Sequence, residues 1–340
     1  MSTTSGDLSV IDSWWREALR QPEQLPTPLE PVQTRLIRAV ARGTLPDGGS
    51  VFVKLMWFPR GKDRLRYLVR SLPASHEAAM LRYVAGVGVR VPEVVWSRGV
   101  RRWGLPRLSM LVTQALDCVD APFEPAPAVR VVGALLDAGV YHPDLNSGNF
   151  LRLRDGGVGL VDLQSVRRLS GPVSPVARRE MLAKMLSDVL GVGGGSDCWE
   201  QAMVDQGICT AEECPGLWSA AARVGRRAVL GRIRRCLQES TLFAVRRGLL
   251  GTLYRRRNCP EGGDWVEGGA ELFRYWLGDR GLEILESWKP LCGALYRPAP
   301  WSPGRHRLYL PEGGEGVLTE VAQRLEEGHD SYQQLLRAVG

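Results

Sequence analysis

The chain of 340 residues has no run of about 18 apolar residues, the length a helix needs to cross a bilayer, so no membrane-spanning helix is expected. Its seven cysteines are scattered, with Cys209 and Cys214 the closest pair and no C-x-x-C. That argues against a disulfide framework or a zinc site and fits free thiols in a reducing compartment. The opening MSTTSGDLSVIDSWW has no basic stretch followed by an apolar one, so no secretory signal is expected. There is no internal repeat and no low-complexity tract. Nor is there a shortage of core: 44% of residues are apolar and 24% charged, which excludes wholesale disorder. Lys and Arg number 44 against 37 for Asp and Glu. The excess of +7 fits a phosphate, nucleotide or lipid headgroup as partner, and ordinary solubility explains it better still.

The order of patterns predicts two lobes. Asp12 or Ser13 is placed to cap a short opening helix through Trp14, Trp15 and Leu19. Residues 34–41 and 50–57 read as strands, joined by the turn-rich Gly43-Thr-Leu-Pro-Asp-Gly-Gly49. A basic connector from Pro59 to Arg70 follows, then a helix over 75–85 with Ala78, Leu81 and Ala85 at helical spacing. Residues 94–97 and 108–114 read as further strands. The proline-rich Ala121-Pro-Phe-Glu-Pro-Ala-Pro127 marks a boundary. Beyond it helices are expected over 129–138 and 175–190, short strands over 150–153 and 158–161, a flexible loop over 191–196, and a largely helical pattern over 211–288. The expected division is a helical extension over 1–28, a sheet-rich lobe over 29–120, a helical lobe over 121–290 and a tail of unassigned role over 291–340.

The chemistry concentrates in Tyr141-His-Pro-Asp-Leu-Asn-Ser-Gly-Asn-Phe150, an H-x-D-L-x-x-x-N motif, followed by Asp162 in Gly159-Leu-Val-Asp-Leu163. Phosphoryl transfer asks a protein for positioning and charge neutralisation rather than covalent chemistry. Asp144 supplies a carboxylate for the acceptor hydroxyl. Asn149 and Asp162 supply hard oxygen ligands for magnesium, and a hairpin between them would bring both to one place. This is the order of the protein-kinase catalytic loop and its metal-binding acid. The same reading requires a strand lysine for the phosphates and a helix glutamate to pair with it. Lys54 follows Val51-Phe-Val53, and Glu77 is the acid of the next helix.

Each residue alone has a plainer explanation. Lys54 and Glu77 read as solvated surface charges, His142 as a structural histidine, and Asp144 and Asn149 as turn residues. It is the joint order that points to a kinase. The basic residues Arg60, Lys62, Arg64, Arg66 and Arg70 fit either an anionic membrane surface or a solvated face. Arg223, Arg226, Arg227, Arg232, Arg234 and Arg235, interleaved with apolar residues, read as an amphipathic helix packed on the core. Trp14, Trp15 and Trp57-Phe58 read as core residues, with contact to a membrane interface as the alternative.

The motifs resemble those of the protein-kinase-like superfamily, and within it the lipopolysaccharide core kinases that act on Kdo or heptose. The loop from Gly139 to Leu151 is similar to that family's H-x-D-L-N-x-x-N-x-L form. Val161-Asp-Leu-Gln-Ser-Val-Arg167 is similar to its degenerate D-L/F-x-x-x-R. The basic connector Phe58-Pro-Arg-Gly-Lys-Asp-Arg-Leu-Arg66 ahead of Glu77 is similar as well. The resemblance covers roughly residues 30–190. It implies an α+β, bilobal, protein-kinase-like fold: a small antiparallel-sheet lobe with one helix and a larger, mainly helical lobe. It implies ATP and Mg2+ as cofactors, Asp144 as base, Asn149 and Asp162 as metal ligands, Lys54 and Glu77 as an ion pair, and backbone at Gln114, Ala115 and Leu116 receiving adenine. The implied acceptor is a lipid-linked inner-core sugar hydroxyl. The implied setting is cytoplasmic, peripheral to the inner face of the inner membrane, with no nucleic-acid partner.

The sequence departs from the kinase pattern in one respect. No G-x-G-x-x-G precedes Lys54, and Gly48 and Gly49 fit a hairpin turn, so the phosphate-covering loop is unassigned. Three other readings stay open: a small-molecule phosphotransferase of the aminoglycoside or choline kinase type, favoured by the long C-terminal part; a nucleotide-binding pseudokinase scaffold; and, more weakly, a protein kinase, which the absence of A-P-E after Asp162 disfavours.

Overall fold

Runs rich in apolar and β-branched residues build the first sheet. The computed structural model describes residues 5–35, 37–189, 196–236, 238–240, 243–257, 265–267, 294–302 and 307–309. By its contacts the chain divides into two units, Met1–Ala221 and Ala222–Gly340. In the first unit β1 (Glu30–Arg35), β2 (Arg38–Thr44), β3 (Ser50–Trp57), β4 (Val94–Arg102) and β5 (Leu105–Gln114) form an antiparallel sheet in the order β1-β2-β3-β5-β4. The single strand expected over 34–41 is divided between β1 and β2, with Arg35 paired to Arg38.

One face of β3 carries Val51, Val53 and Leu55, all buried, against Ile11, Trp14, Trp15 and Ala18 of helix α1 (Ser5–Arg20). Each large side chain so covered contributes about 2–3 kcal/mol. Trp14 and Trp15 are therefore core residues, as are Trp57 and Phe58, which decides against the membrane-interface alternative for all four. Helix α1 begins well before the expected cap. Asp12 instead accepts from Arg16 one turn on, at 2.5 Å, and the Ser13 hydroxyl donates to the Val10 carbonyl, so both serve the helix interior.

Between β3 and β4 lie the short helix α2 (Gly61–Arg66) and α3 (Pro73–Gly86). Helix α3 starts two residues earlier than expected, at a proline placed where its missing N–H costs nothing. Its free Ala74 amide donates to the Ser109 hydroxyl of β5 at 2.8 Å.

The rest of the first unit is mainly helical: α4 (Pro125–Asp137), α5 (Pro175–Val189), α6 (Ser196–Asp205) and the start of α7 (Cys214–Cys236). Two small ladders interrupt it. β6 (Val140–Tyr141) pairs with β9 (Arg167–Arg168), and β7 (Phe150–Arg152) with β8 (Val158–Leu160). Val132, Leu135, Leu145, Leu160, Leu163 and Met185 meet α3 residues in one continuous core. Cys118, Cys198, Cys209 and Cys214 are free thiols, as expected. Cys209 and Cys214 touch, sulfur to sulfur, at 3.6 Å, and burial pushes the Cys209 thiol up to about 12.

The second unit corrects the sequence reading. The helical pattern expected over 211–288 holds for α7, but the described elements beyond it are strands. β10 (Phe243–Gly248), β11 (Gly251–Arg256), β12 (Trp265–Glu267), β13 (Ala294–Pro298) and β14 (Arg307–Tyr309) form an antiparallel sheet in the order β10-β11-β13-β14-β12. Gly248 opposite Gly251 closes a two-residue turn that makes a hairpin of a segment expected to be helical. The expected loop over 191–196 lies outside the described residues except for Ser196, which opens α6, and so does most of the tail. Several side chains of the basic stretch, Arg226 and 232–235 among them, also lie outside. Among the described residues no helix is long and apolar enough to cross a membrane.

Candidate active site

Lys54 occupies the middle of β3, on the face opposite Val53 and Leu55. Its Nζ lies 2.5 Å from Glu77 Oε1 on α3. The glutamate side chain is only 4% exposed and the lysine 25%. A charge pair in such surroundings is a poor source of stability, because its desolvation cost rivals its attraction. Neither residue is the solvated surface charge that its type alone implied.

Residues 140–149 form the loop of the motif. Gly139 enters it at φ +65°, where a Cβ would stand 2.8 Å from the Gly171 carbonyl oxygen, so the position takes glycine. Val140 and Leu145 anchor the loop in the core. Asn149, itself buried, donates from Nδ2 to the Asp144 carbonyl at 2.7 Å. That bond commits the amide nitrogen to the loop and leaves Oδ1 as the side chain's acceptor atom. The Asp144 carboxylate stands out of this packed loop, 60% exposed.

His142 lies beneath, fully buried. The Asp144 amide donates to its Nδ1 at 3.3 Å, so the ring proton sits on Nε2, which has no hydrogen-bond partner among the described residues. Burial lowers its pKa to about 4, against the opposing charges of Asp144 and Asp162. It is neutral, and its role is to hold the backbone.

The β7–β8 hairpin brings the third acid in. Val161 donates its amide to the Asn149 carbonyl at 2.9 Å, so Asn149 and Asp162 are neighbours. Asp162 has φ 59° and ψ 59°, a left-handed conformation uncommon outside glycine and typical of sites where geometry is imposed. The chain beyond it is tied to the small lobe. His76 Nε2 of α3 bonds the Val166 carbonyl at 2.8 Å, and Arg38 of β2 donates to Gln164 Oε1 at 3.3 Å.

Two residues of α5 complete the arrangement, and motif reading had not singled them out. Lys184 Nζ lies 3.3 Å from Asp144 Oδ1. One turn on, Asp188 Oδ2 accepts from the Ser147 amide at 2.8 Å and from its hydroxyl at 3.3 Å. Their i, i+4 spacing, which puts both on one helix face, was the available signal.

The linker residues are only partly available to a ligand. The Gln114 amide donates to the Glu93 carbonyl and the Ala115 amide to the Ser50 carbonyl, both at 2.9 Å. Leu116 is the one of the three whose amide makes no backbone bond among the described residues.

A five-stranded antiparallel sheet thus offers a lysine held by a helix glutamate. A mainly helical lobe offers the Asp144–Asn149 loop and then Asp162 after a short hairpin. The fold is protein-kinase-like. No family model matches the chain. No curated protein matches it in sequence. Among solved structures the chain is similar to WaaP in complex with acyl carrier protein, at 18% identity over 58% of this chain and 88% of that one, with a TM-score of 0.43. It is also similar to WbdD in co-crystal with a kinase inhibitor, at 17% identity over 44% of this chain, with a TM-score of 0.32. In that second case it spans only 36% of the other chain's length.

Asn149 and Asp162 offer one amide oxygen and one carboxylate. Among the described residues no three His, Cys, Asp or Glu side chains gather as a metal cluster. The pair therefore cannot enclose a cation unaided. It fits Mg2+, which commonly takes one or two protein oxygens and fills its remaining positions from phosphates and water.

Proposed function

We propose that the chain is an ATP-dependent kinase that transfers a phosphoryl group to an alcohol, and that the acceptor is a sugar hydroxyl of a lipid-linked inner-core saccharide. The Lys54–Glu77 pair carries this reading. A buried ion pair that adds little to stability makes sense as a holder that presents one ammonium to the α- and β-phosphates of a nucleotide. The backbone of Gln114 to Leu116 would receive adenine. Asn149 and Asp162 would hold Mg2+, whose charge there would offset that of the phosphates.

Asp144 orients the acceptor hydroxyl and takes its proton at a carboxylate oxygen. Lys184 sits beside that oxygen. Its fixed ammonium compensates charge that builds as the phosphoryl group passes, and Asp188 holds the Ser147 turn so that the loop keeps its shape. His142, neutral and buried, moves no proton. The basic connector supports a lipid-linked acceptor. The small-molecule reading loses its main support, since the segment expected to extend a helical acceptor domain contains strands.

The test is transfer of labelled γ-phosphate from Mg-ATP to extracted lipid A carrying inner-core sugars, with Asp144→Ala as control. Label in the lipid with the wild type and none with the variant supports the assignment. Nucleotide binding without lipid labelling, joined to labelling of a small soluble alcohol, moves the acceptor to the small-molecule class. Nucleotide binding with no transfer to any alcohol makes the chain a scaffold.

A further inference from the structure

The sheet of the first unit has two ends. At one, Val51 pairs with Gln114 and the chain enters the linker. At the other, Trp57 pairs with Leu108, and beyond it lie α2 with its following loop and the tip of the β4–β5 hairpin. A single guanidinium ties these two segments together. Arg101 donates from Nη1 to the carbonyls of Tyr67 at 2.7 Å, Leu68 at 3.1 Å and Gly104 at 3.1 Å, and from Nη2 to that of Arg70 at 2.7 Å. The Tyr67 ring seats the loop edge-on against Phe58, centroids 5.3 Å apart, beside Met56 and Leu72. The platform is thus built and held.

What it carries is unusual. Trp103 is 86% exposed and Val69 91% exposed, with Leu65 and Leu68 also outward. Trp103 turns the hairpin at φ 51°, followed by Gly104 at φ 77°. A turn with two positive φ values favours Asn-Gly or Gly-Gly, and a tryptophan there costs about 1–2 kcal/mol. Among the described residues its one ring contact is the Arg102 guanidinium, 4.6 Å from the centroid. Strain at an exposed aromatic, with no packing gained, points to a role outside the folded chain.

The surrounding charge has one sign. Residues 58–72 hold Arg60, Lys62, Arg64, Arg66 and Arg70 against the single acid Asp63, and residues 94–107 hold four arginines and no acid. Arg60 is spent on Asp63, and Arg64 on the Phe58 carbonyl. Arg66, Arg70 and Arg102 are exposed around the apolar tips.

We propose that this face docks on an anionic lipid bilayer, with Trp103 and Val69 entering the boundary between headgroups and acyl chains and Arg66, Arg70 and Arg102 pairing with lipid phosphates. An indole is suited to that boundary, and each basic side chain near such a surface adds to binding. Apolar tips ringed by arginine match an interfacial layer, apolar below and anionic above. The inference deepens the lipid-linked acceptor reading and rests on it only for the membrane's being within reach.

The test uses the full chain without nucleotide. Sedimentation is measured with vesicles of phosphatidylcholine alone and of phosphatidylcholine with phosphatidylglycerol, and tryptophan quenching is measured with brominated acyl chains. Binding to the mixed vesicles, little to the neutral ones, and release by salt are expected. Trp103→Ser should remove most of the quenching. Arg66→Ser and Arg70→Ser should each weaken binding about fivefold. Trp301→Ser, at an exposed tryptophan of the second unit, should change neither, and unfolding midpoints check that each variant folds. Absence of binding to anionic vesicles at low salt overturns the proposal. So does binding that Trp103→Ser and the arginine variants leave intact. Capture by polyglutamate but not by vesicles also overturns it, in favour of an acidic protein partner. Phosphoryl transfer to a detergent-dispersed acceptor needs no bilayer, so loss of docking with transfer retained separates this failure from failure of the kinase reading.

Discussion

Lys184 Nζ of α5 lies 3.3 Å from Asp144 Oδ1 of the loop that carries the H-x-D-L-x-x-x-N motif. The cation comes from a helix some forty residues downstream, and the same helix holds the loop through Asp188. The Asp144 carboxylate and its neighbouring charge are therefore set by tertiary packing. If Lys184 compensates charge in the transition state, Lys184→Met lowers kcat about 100-fold or more with KM for ATP little changed, and Lys184→Arg recovers part of it. A variant that changes only thermal stability would make the pair structural.

If Asp144 takes the acceptor's proton, turnover of Asp144→Ala should fall at least about 100-fold while ATP affinity stays near that of the wild type. Asp162→Ala should instead abolish the magnesium dependence of nucleotide binding, measured by titration calorimetry with and without the metal. Normal Mg-ATP binding by that variant would remove Asp162 from the metal site.

The Lys54–Glu77 pair yields to a double-mutant cycle. Lys54→Met leaves a buried carboxylate without its partner and should cost about 3–5 kcal/mol. Adding Glu77→Leu should restore much of that loss by denaturant unfolding, since an apolar pair of similar size fits such surroundings. Phosphoryl transfer should stay absent in both. Recovery of transfer along with stability would make the pair a scaffold element only.

His142 gives the fold a pH dependence. Its folded pKa is about 4, lowered by burial from an ordinary 6.5. The unfolded chain therefore takes up the proton first on acidification. The contribution is whole above pH 6.5 and declines as pH falls toward 4. It totals roughly 3 kcal/mol. His142→Phe also removes a buried N–H without a partner. The variant should keep the wild-type urea midpoint near neutrality and lose less of it in mild acid. Parallel pH profiles for the two proteins would refute the assignment.

The lobe order, the sheet strands around Lys54 and the helix bearing Glu77 were legible because each rests on local pattern: the apolar run Val51 to Val53, helical spacing in Ala78 to Ala85, and turn formers between. The loop was legible as a motif because its residue types recur at fixed spacing. What stayed hidden was set by distance along the chain. Asp12 and Ser13 looked like caps, since nothing local says that the helix already runs from Ser5. The strands after Phe243 were hidden because apolar and polar residues there do not alternate strictly. Trp14 and Trp103 are alike as residues, and only packing buries one and exposes the other.

By itself the sequence determined that Asp144, Asn149 and Asp162 come together, because they lie close along the chain and need only one loop and one hairpin to meet. It also determined the excess of basic charge near α2. Tertiary structure decided the rest. It set Lys54 against Glu77 across a strand and a helix. It brought Lys184 and Asp188 to the loop from α5, and it gathered Val69 and Trp103 on one face through Arg101. Contacts between residues distant in sequence depend on how the elements pack, and local propensity carries no record of that.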